Sequence, residues 1–379
     1  MAKGIFGRLG MLLVLALAFA LPVHAEATAA SGQPAKSKTV KSQAAKSKTV
    51  KSQAAKSKTV KSQAAKSKTV KSQAAKSKTV KSQAAKSKGH KARAVKAKVA
   101  KSRAMDREMG DYRVVNGLPV LRSAYAVVID QQTGALVYAK NSDKATPIAS
   151  ITKLMAAMVV LDAALPLEES ITVSEADVDH LKHTRSRLPI GATVSRSDLL
   201  HMALIASENR AAAALSRAYP GGREAFVVAM NRKARNLGMT ESVFVDGTGL
   251  SSSNRATAQD LARMVSAAHA YPVIREISTL GSYDILVPGR SNLRSLAYNN
   301  TNALTRNKGW DIGISKTGYI NEAGHCLVMQ AKISDKPLII VLLDAQGKHS
   351  RIGDANRLRR WLENGAMQRV AKHTPGRQA

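Results

Sequence analysis

A mixed α/β domain, built on a sheet whose first and last segments meet, is what the globular part of this sequence predicts. Two strand-like runs joined by a tight turn open that region, three more close it, and the apolar runs between them repeat at helical spacing. In chain order, "AYAVVID" (residues 124–130), "QQTG" and "ALVYAK" (residues 135–140) read as strand, turn and strand. Next comes "IASITKLMAAM" (residues 148–158), where Ile151, Leu154, Met155, Met158 and Leu161 fall on one helical face. Ser195 with Asp198 has the form of a capping box and starts the helix "LLHMALIA"; Thr257 with Asp260 repeats the device before "LARMVSAA". The late runs "WDIGISKTGYI", "HCLVMQAKI" and "PLIIVLLDA" are strands with short connections, and "ANRLRRWLENG" is a closing helix. The lone Cys326 excludes an intrachain disulfide, and its apolar setting predicts a buried strand position.

At 379 residues and 44% hydrophobic content there is ample material for a core, but the formal charge of +33 is unevenly spread. Residues 27–105 hold 23 Lys and Arg and no acidic residue, which leaves the remainder only moderately basic. Residues 1–25 have the organisation of a cleaved secretory signal: Lys3 and Arg8, the apolar stretch from Met11 to Leu21, then "VHA" before Glu26. The destination this implies is the periplasm, with loose attachment to membrane or wall. Residues 26–110 form a Lys/Ala-rich arm in which "KSKTVKSQAA" occurs five times over residues 36–85. Ten residues at helical spacing turn each Val by about 80° from the last, so no apolar stripe forms and a disordered arm is expected. Such an arm suits a polyanion. Export argues against nucleic acid as the physiological partner and for anionic envelope components, with a passive spacer as the alternative. Residues 111–365 are the predicted folded domain and residues 366–379 a polar tail.

The chemistry begins at Ser150 and Lys153, one helical turn apart in a run that carries no other charge from Ala145 to Leu161. Desolvation disfavours an ammonium there and lowers its pKa, and a neutral amine three residues from a hydroxyl can take its proton. A lysine that packs its stem and snorkels outward is the other reading of this fragment taken alone. Two further triplets bear on the choice. "SEN", Ser207 to Asn209, interrupts an Ala-rich helical stretch, and "KTG", Lys316 to Gly318, lies in a late strand where glycine admits a second backbone. "SSN" at Ser252 to Asn254 matches the middle pattern equally well. The ordered set is what is specific.

With those motifs the sequence resembles the penicillin-binding, active-site-serine family. More closely it is similar to the low-molecular-mass D-alanyl-D-alanine peptidases, and among them the endopeptidases of the penicillin-binding protein 7 type. Supporting text runs through residues 123–365: "PIASITKLMAAMVVLDA", "ASENRAAAAL", "YPGG", "TGLSSSNRATAQDLA", "SKTGYINEAGHCLVM" and "LLDAQGK". The resemblance implies the penicillin-binding/β-lactamase-like transpeptidase fold, an antiparallel sheet with helices on its faces plus a helical subdomain. It implies Ser150 as the nucleophile, Lys153 as the base, Ser207 as a proton relay to the leaving amine, and Asn209 as a holder of Lys153 and the substrate amide. Lys316 would supply positive potential and keep Lys153 neutral by repulsion, with Thr317, Gly318 and Tyr319 binding substrate along an edge strand. The N–H groups of Ser150 and Tyr319 would form the oxyanion hole. Cofactors and metals are not called for, and His201 and His325 read as structural.

The implied substrate is the peptide cross-link of peptidoglycan, and β-lactams are the implied covalent inhibitors. A class A β-lactamase also needs a deacylating glutamate, and no Glu-x-x-Leu-Asn segment stands between the second and third motifs. The nearer alternative is a D-Ala-D-Ala carboxypeptidase. Its relatives commonly carry a further β-rich domain and a terminal amphipathic helix, whereas "MQRVAKHTPGRQA" is short and polar, which favours the endopeptidase. An inert cell-wall or polyanion-binding protein is the remote alternative.

Overall fold

Alternation in the strand runs sends successive side chains to opposite faces of a sheet, and here both faces are covered. The computed structural model describes residues 112–288 and 292–366; the predicted export signal, the lysine-rich arm and residues 367–379 lie outside the described residues. Five strands form the main sheet: β1 (Ser123–Asp130), β2 (Leu136–Lys140), β3 (Asp311–Ile320), β4 (Gly324–Ile333) and β5 (Lys336–Ala345). Their order is β3-β4-β5-β1-β2 and every pair is antiparallel, so the last strand pairs with the first as expected. Lys316 pairs with Val328, Val328 with Val341, and Val341 with Val127. The three valines of that row belong to the core shared with the central helices, while Ala126, Val128, Leu327, Ile340 and Leu342 face the closing helix.

That closing helix is α7 (Ser350–Trp361), which packs on β5, β4 and β1. Its buried Asp354 accepts bonds from the backbone N–H and hydroxyl of Ser123 at 2.7 and 2.6 Å, from Arg122 N–H at 3.0 Å, and from Arg357 at 2.7 Å. The start of the sheet is thereby tied to the end of the domain.

On the opposite face lies α1 (Thr152–Asp162), with its residues Thr152 through Val160 all buried. A helix apolar all round belongs inside a core, and Leu154, Met155 and Met158, none of them exposed, each contribute about 1.5–3 kcal/mol by burial. Ser150 itself precedes α1, in a single 3-10 turn, Ala149–Ile151. Around α1 stand α2 (Arg196–Ile205), α3 (Asn209–Arg217), α4 (Gly222–Asn236), α5 (Ala258–Ala268) and, beside α2, α6 (Pro272–Thr279). The Ser195 capping box is complete: Ser195 Oγ accepts from Asp198 N–H at 2.9 Å and Asp198 accepts from Ser195 N–H at 3.1 Å. At Thr257 only half of the expected box forms. Thr257 Oγ1 accepts from Asp260 N–H, but the Asp260 carboxylate serves Glu241 N–H, the Ser242 hydroxyl and Arg263. Cys326 is fully buried in β4. The helix α4 and the hairpin Ser282–Pro288/Leu293–Asn299 are elements the sequence reading did not resolve. Among the described residues no helix is long and apolar enough to cross a membrane.

Candidate active site

Ser150 and Lys153 meet as their spacing predicts, with Lys153 Nζ 2.9 Å from Ser150 Oγ. The amine also donates to Asn209 Oδ1 at 2.7 Å and to the backbone carbonyl of Thr248 at 2.5 Å. A neutral amine has two N–H donors and one lone pair. Those two donors match the Asn209 and Thr248 oxygens, and the lone pair then faces the Ser150 hydroxyl. Lys153 is 1% exposed, so it does not snorkel. Burial brings its pKa down from 10.5 to about 7, against the carboxylates of Asp246, Glu208 and Asp179, which favour the charged form.

The middle triplet turns the corner between α2 and α3. Ser207 adopts φ 60°, a left-handed conformation uncommon for a residue with a side chain, and Asn209 opens α3. Lys316 Nζ donates to Ser207 Oγ at 2.9 Å and to the carbonyl of Thr317 at 2.8 Å. Two serines thus each face one buried lysine. Asn209 is held from its other side, where its amide donates to Thr184 Oγ1 at 2.9 Å. The rival triplet ending at Asn254 does not meet Lys153: Asn254 is fully buried, its amide bonded to Asp246 and its carbonyl accepting from Ile148 N–H at 3.1 Å.

The third triplet lies on β3, at the edge of the sheet. A Cβ on Gly318 would stand 3.0 Å from both the carbonyl of Ile148 and the backbone nitrogen of Ser150, so the missing side chain lets the strand and the nucleophile's turn approach. Ala149, immediately before Ser150, has φ 48°, a second strained residue in the turn. Tyr319 is 53% exposed along this edge and stacks on His325. Thr317 is 3% exposed, and its hydroxyl lies 2.6 Å from that of Thr301.

Lys316 is as buried as Lys153, and burial first, then repulsion from Lys153 and Arg351, holds its pKa well below the ordinary lysine value. Burial is the first cause of the depression of Lys153, and the two buried amines repel each other. Lys316 is therefore a second buried amine whose charged form is disfavoured.

Three participants have no signature in the sequence reading. Thr248 contributes a backbone carbonyl, and a carbonyl leaves no mark on residue type. Thr184, from the loop before α2, touches Asn209. Arg351, in the first turn of α7, reaches the carbonyl of Gly318 at 3.3 Å and His325 Nδ1 at 2.9 Å, while its Nε is buried without a partner. His325 is held neutral, its pKa brought to about 4 by burial and by Arg351. His201 stacks on Tyr283 and its Nδ1 lies 2.8 Å from the Ser197 carbonyl.

The chain is similar to known proteins over most of the described residues. A family model described as D-alanyl-D-alanine carboxypeptidase matches residues 114–347. The chain is 48% identical over 257 residues to a D-alanyl-D-alanine endopeptidase of Pseudomonas aeruginosa, covering 67% of this chain and 82% of that one. It is 44% identical over 252 residues to a D-alanyl-D-alanine endopeptidase of Escherichia coli, covering 66% and 81%. Among solved structures, a Streptomyces DD-transpeptidase superimposes with a TM-score of 0.60 at 26% identity, covering 64% of this chain and 97% of that one.

Proposed function

The chain belongs to the D-alanyl-D-alanine carboxypeptidase family of serine peptidases, and from that premise we propose that it is a DD-endopeptidase that cuts D-alanyl cross-links in peptidoglycan through an acyl-serine intermediate. The observation that carries the reading is the convergence of three separate segments into two adjacent hydrogen-bonded groups, Ser150–Lys153–Asn209 and Ser207–Lys316, close enough for the two amines to repel each other. Endopeptidase is favoured over carboxypeptidase because the relatives at 48% and 44% identity are endopeptidases, whereas a carboxypeptidase of Bacillus subtilis stands at 29%.

Lys153 takes the hydroxyl proton of Ser150 as Oγ attacks the carbonyl carbon of the D-alanine at the cross-link. The oxyanion forms against the N–H groups of Ser150 and Tyr319; loss of one such donor costs about 10²- to 10³-fold in rate in other acyl-transfer enzymes. Collapse breaks the C–N bond, and the leaving amine takes a proton from Ser207, which is replaced by way of Lys316 with the proton that Lys153 accepted, so that Lys153 is neutral again. Water then attacks the acyl-serine with Lys153 again accepting the proton, releasing the D-alanine carboxylate and restoring Ser150.

The other parts of the reading rest on sequence. Residues 1–25 support export to the periplasm, and the lysine repeat supports attachment to anionic envelope components by charge. Equal binding to cell-wall material with and without residues 26–110, at two salt concentrations, would reject the latter.

A fluorescent penicillin tests the chemistry: wild type takes a covalent label and Ser150→Ala does not. Absence of label on wild type would remove the enzyme reading. Cross-linked muropeptide dimers and monomeric pentapeptide separate the two peptidases, because a carboxypeptidase would remove only the terminal D-alanine.

A further inference from the structure

Of the three oxygen partners of Lys153, two are side chains of the motifs and the third is the carbonyl of Thr248, which also lies 3.5 Å from Ser150 Oγ. A carbonyl that orients a catalytic amine has to be aimed by its own loop. Residues 246–251 belong to neither helix nor strand, so regular backbone pairing does not aim it.

The loop is wound round one side chain. Asp246 Oδ1 accepts from Thr248 N–H at 2.6 Å, from the Thr248 hydroxyl at 2.7 Å and from Gly249 N–H at 2.6 Å. Its Oδ2 accepts from Ser251 N–H at 3.1 Å and from the Asn254 amide at 2.8 Å. Five donors saturate a carboxylate, which has about four lone-pair sites. The same winding brings the loop against the nucleophile: a Cβ on Gly249 would lie 2.0 Å from the Ala149 carbonyl oxygen and 2.9 Å from the Ser150 nitrogen. Asp246, Thr248 and Asn209 line one cavity of about 290 Å³, whose wall is therefore continuous with the cluster around Lys153.

We propose that Asp246 is a positioning residue for the proton transfer, fixing the Thr248 carbonyl on the Lys153 amine and placing a carboxylate charge behind it. The proposal rests on the reading of Lys153 as the base. A side chain that only staples a loop would do the first of these things and not the second.

The charged groups facing Lys153 are Asp246 from this loop, Glu208 from the α2–α3 corner, Asp179 from the loop before α2, and Lys316 from β3. Of the three carboxylates, Asp246 acts most strongly to keep the amine protonated against burial. Neutralising it leaves burial less opposed, so the amine loses its proton at lower pH.

The experiment is the pH dependence of acylation by a fluorescent penicillin, on the full chain, for wild type, Asp246→Asn and Asp246→Glu. Ser150-dependent labelling of wild type establishes the peptidase reading by itself, so the variants bear on Asp246 alone. Asp246→Asn is expected to move the acidic limb of the profile down by at least half a pH unit and to lower the plateau about tenfold, because an amide presents an N–H to donors that need an acceptor. Asp246→Glu keeps the charge and displaces the carboxylate by one methylene, so its limb stays within about 0.2 pH units of wild type while its plateau falls at least tenfold. A folded Asp246→Asn protein with an unshifted limb would overturn the proposal. If that variant does not fold, a wild-type plateau in Asp246→Glu overturns it instead.

Discussion

Gly249 and Gly191 have nearly the same backbone conformation, φ +78° and +79°, and opposite surroundings. At Gly191 an added Cβ meets nothing within 4 Å; at Gly249 it falls 2.0 Å from the Ala149 carbonyl oxygen. Replacing each by Ala separates backbone strain from close approach. Left-handed strain alone costs about 1–2 kcal/mol, and that is the whole expected loss for Gly191→Ala. Gly249→Ala adds the overpacking of a tight core site, about 1–3 kcal/mol, for a total of roughly 2–5 kcal/mol. Since ordinary contact begins near 3.4 Å, either the Thr248 loop or the Ser150 turn has to shift by about 1 Å, and a misplacement of that size is worth about 10²-fold in rate. Urea unfolding and penicillin acylation of the two variants test this. Gly191→Ala should acylate at the wild-type rate and Gly249→Ala about a hundredfold more slowly. Equal destabilisation of the two with equal acylation would refute the claim that the missing side chain serves the contact between loop and nucleophile.

Three other outcomes are expected. Because burial holds Lys153 at about 7 against 10.5, the unfolded chain carries a proton between those values that the folded chain lacks, so stability should rise with pH across that window and the rise should shrink in Lys153→Met; an unchanged slope of urea stability between pH 7 and 10 would contradict it. Asp354→Ala, which leaves Arg357 and the Ser123 donors without their carboxylate in the interior, should cost about 3–5 kcal/mol by thermal or chemical unfolding while acylation per folded molecule is unchanged. The Lys182–Glu322 ion pair joins the loop that holds Asn209 to the turn after β3, so Glu322→Lys should raise KM for cross-linked muropeptides several-fold with little effect on penicillin acylation, and Lys182→Glu in the same molecule should restore it. A double variant no better than the single one would show that the pair does not bear on the substrate.

How much of this was legible in advance differs from residue to residue. Ser150 and Lys153 could be read because helical spacing is local, and the run around them was apolar enough to imply burial before any coordinates. The pairing of "AYAVVID" with "PLIIVLLDA" followed from their place at the two ends of the region, and the continuous apolar run of the second suits a strand buried on both faces. The Ser195 capping box was legible and the Thr257 box only half so, because Asp260 found better partners across the fold, a competition that local spacing does not record.

By itself, then, the chain's residue order set which helix would be buried, which hydroxyl and amine share a turn, and which glycine on a late strand admits another backbone. Tertiary structure alone decided that "SEN" and not "SSN" meets Lys153, that a backbone carbonyl completes its shell, that Arg351 arrives beside Gly318, and that Lys316 is buried deeply enough to lower its pKa. The physical reason is range. Periodicity and capping act over a few residues along the chain, whereas desolvation and Coulomb interactions sum over whatever folding brings within several ångströms, whatever the separation in sequence.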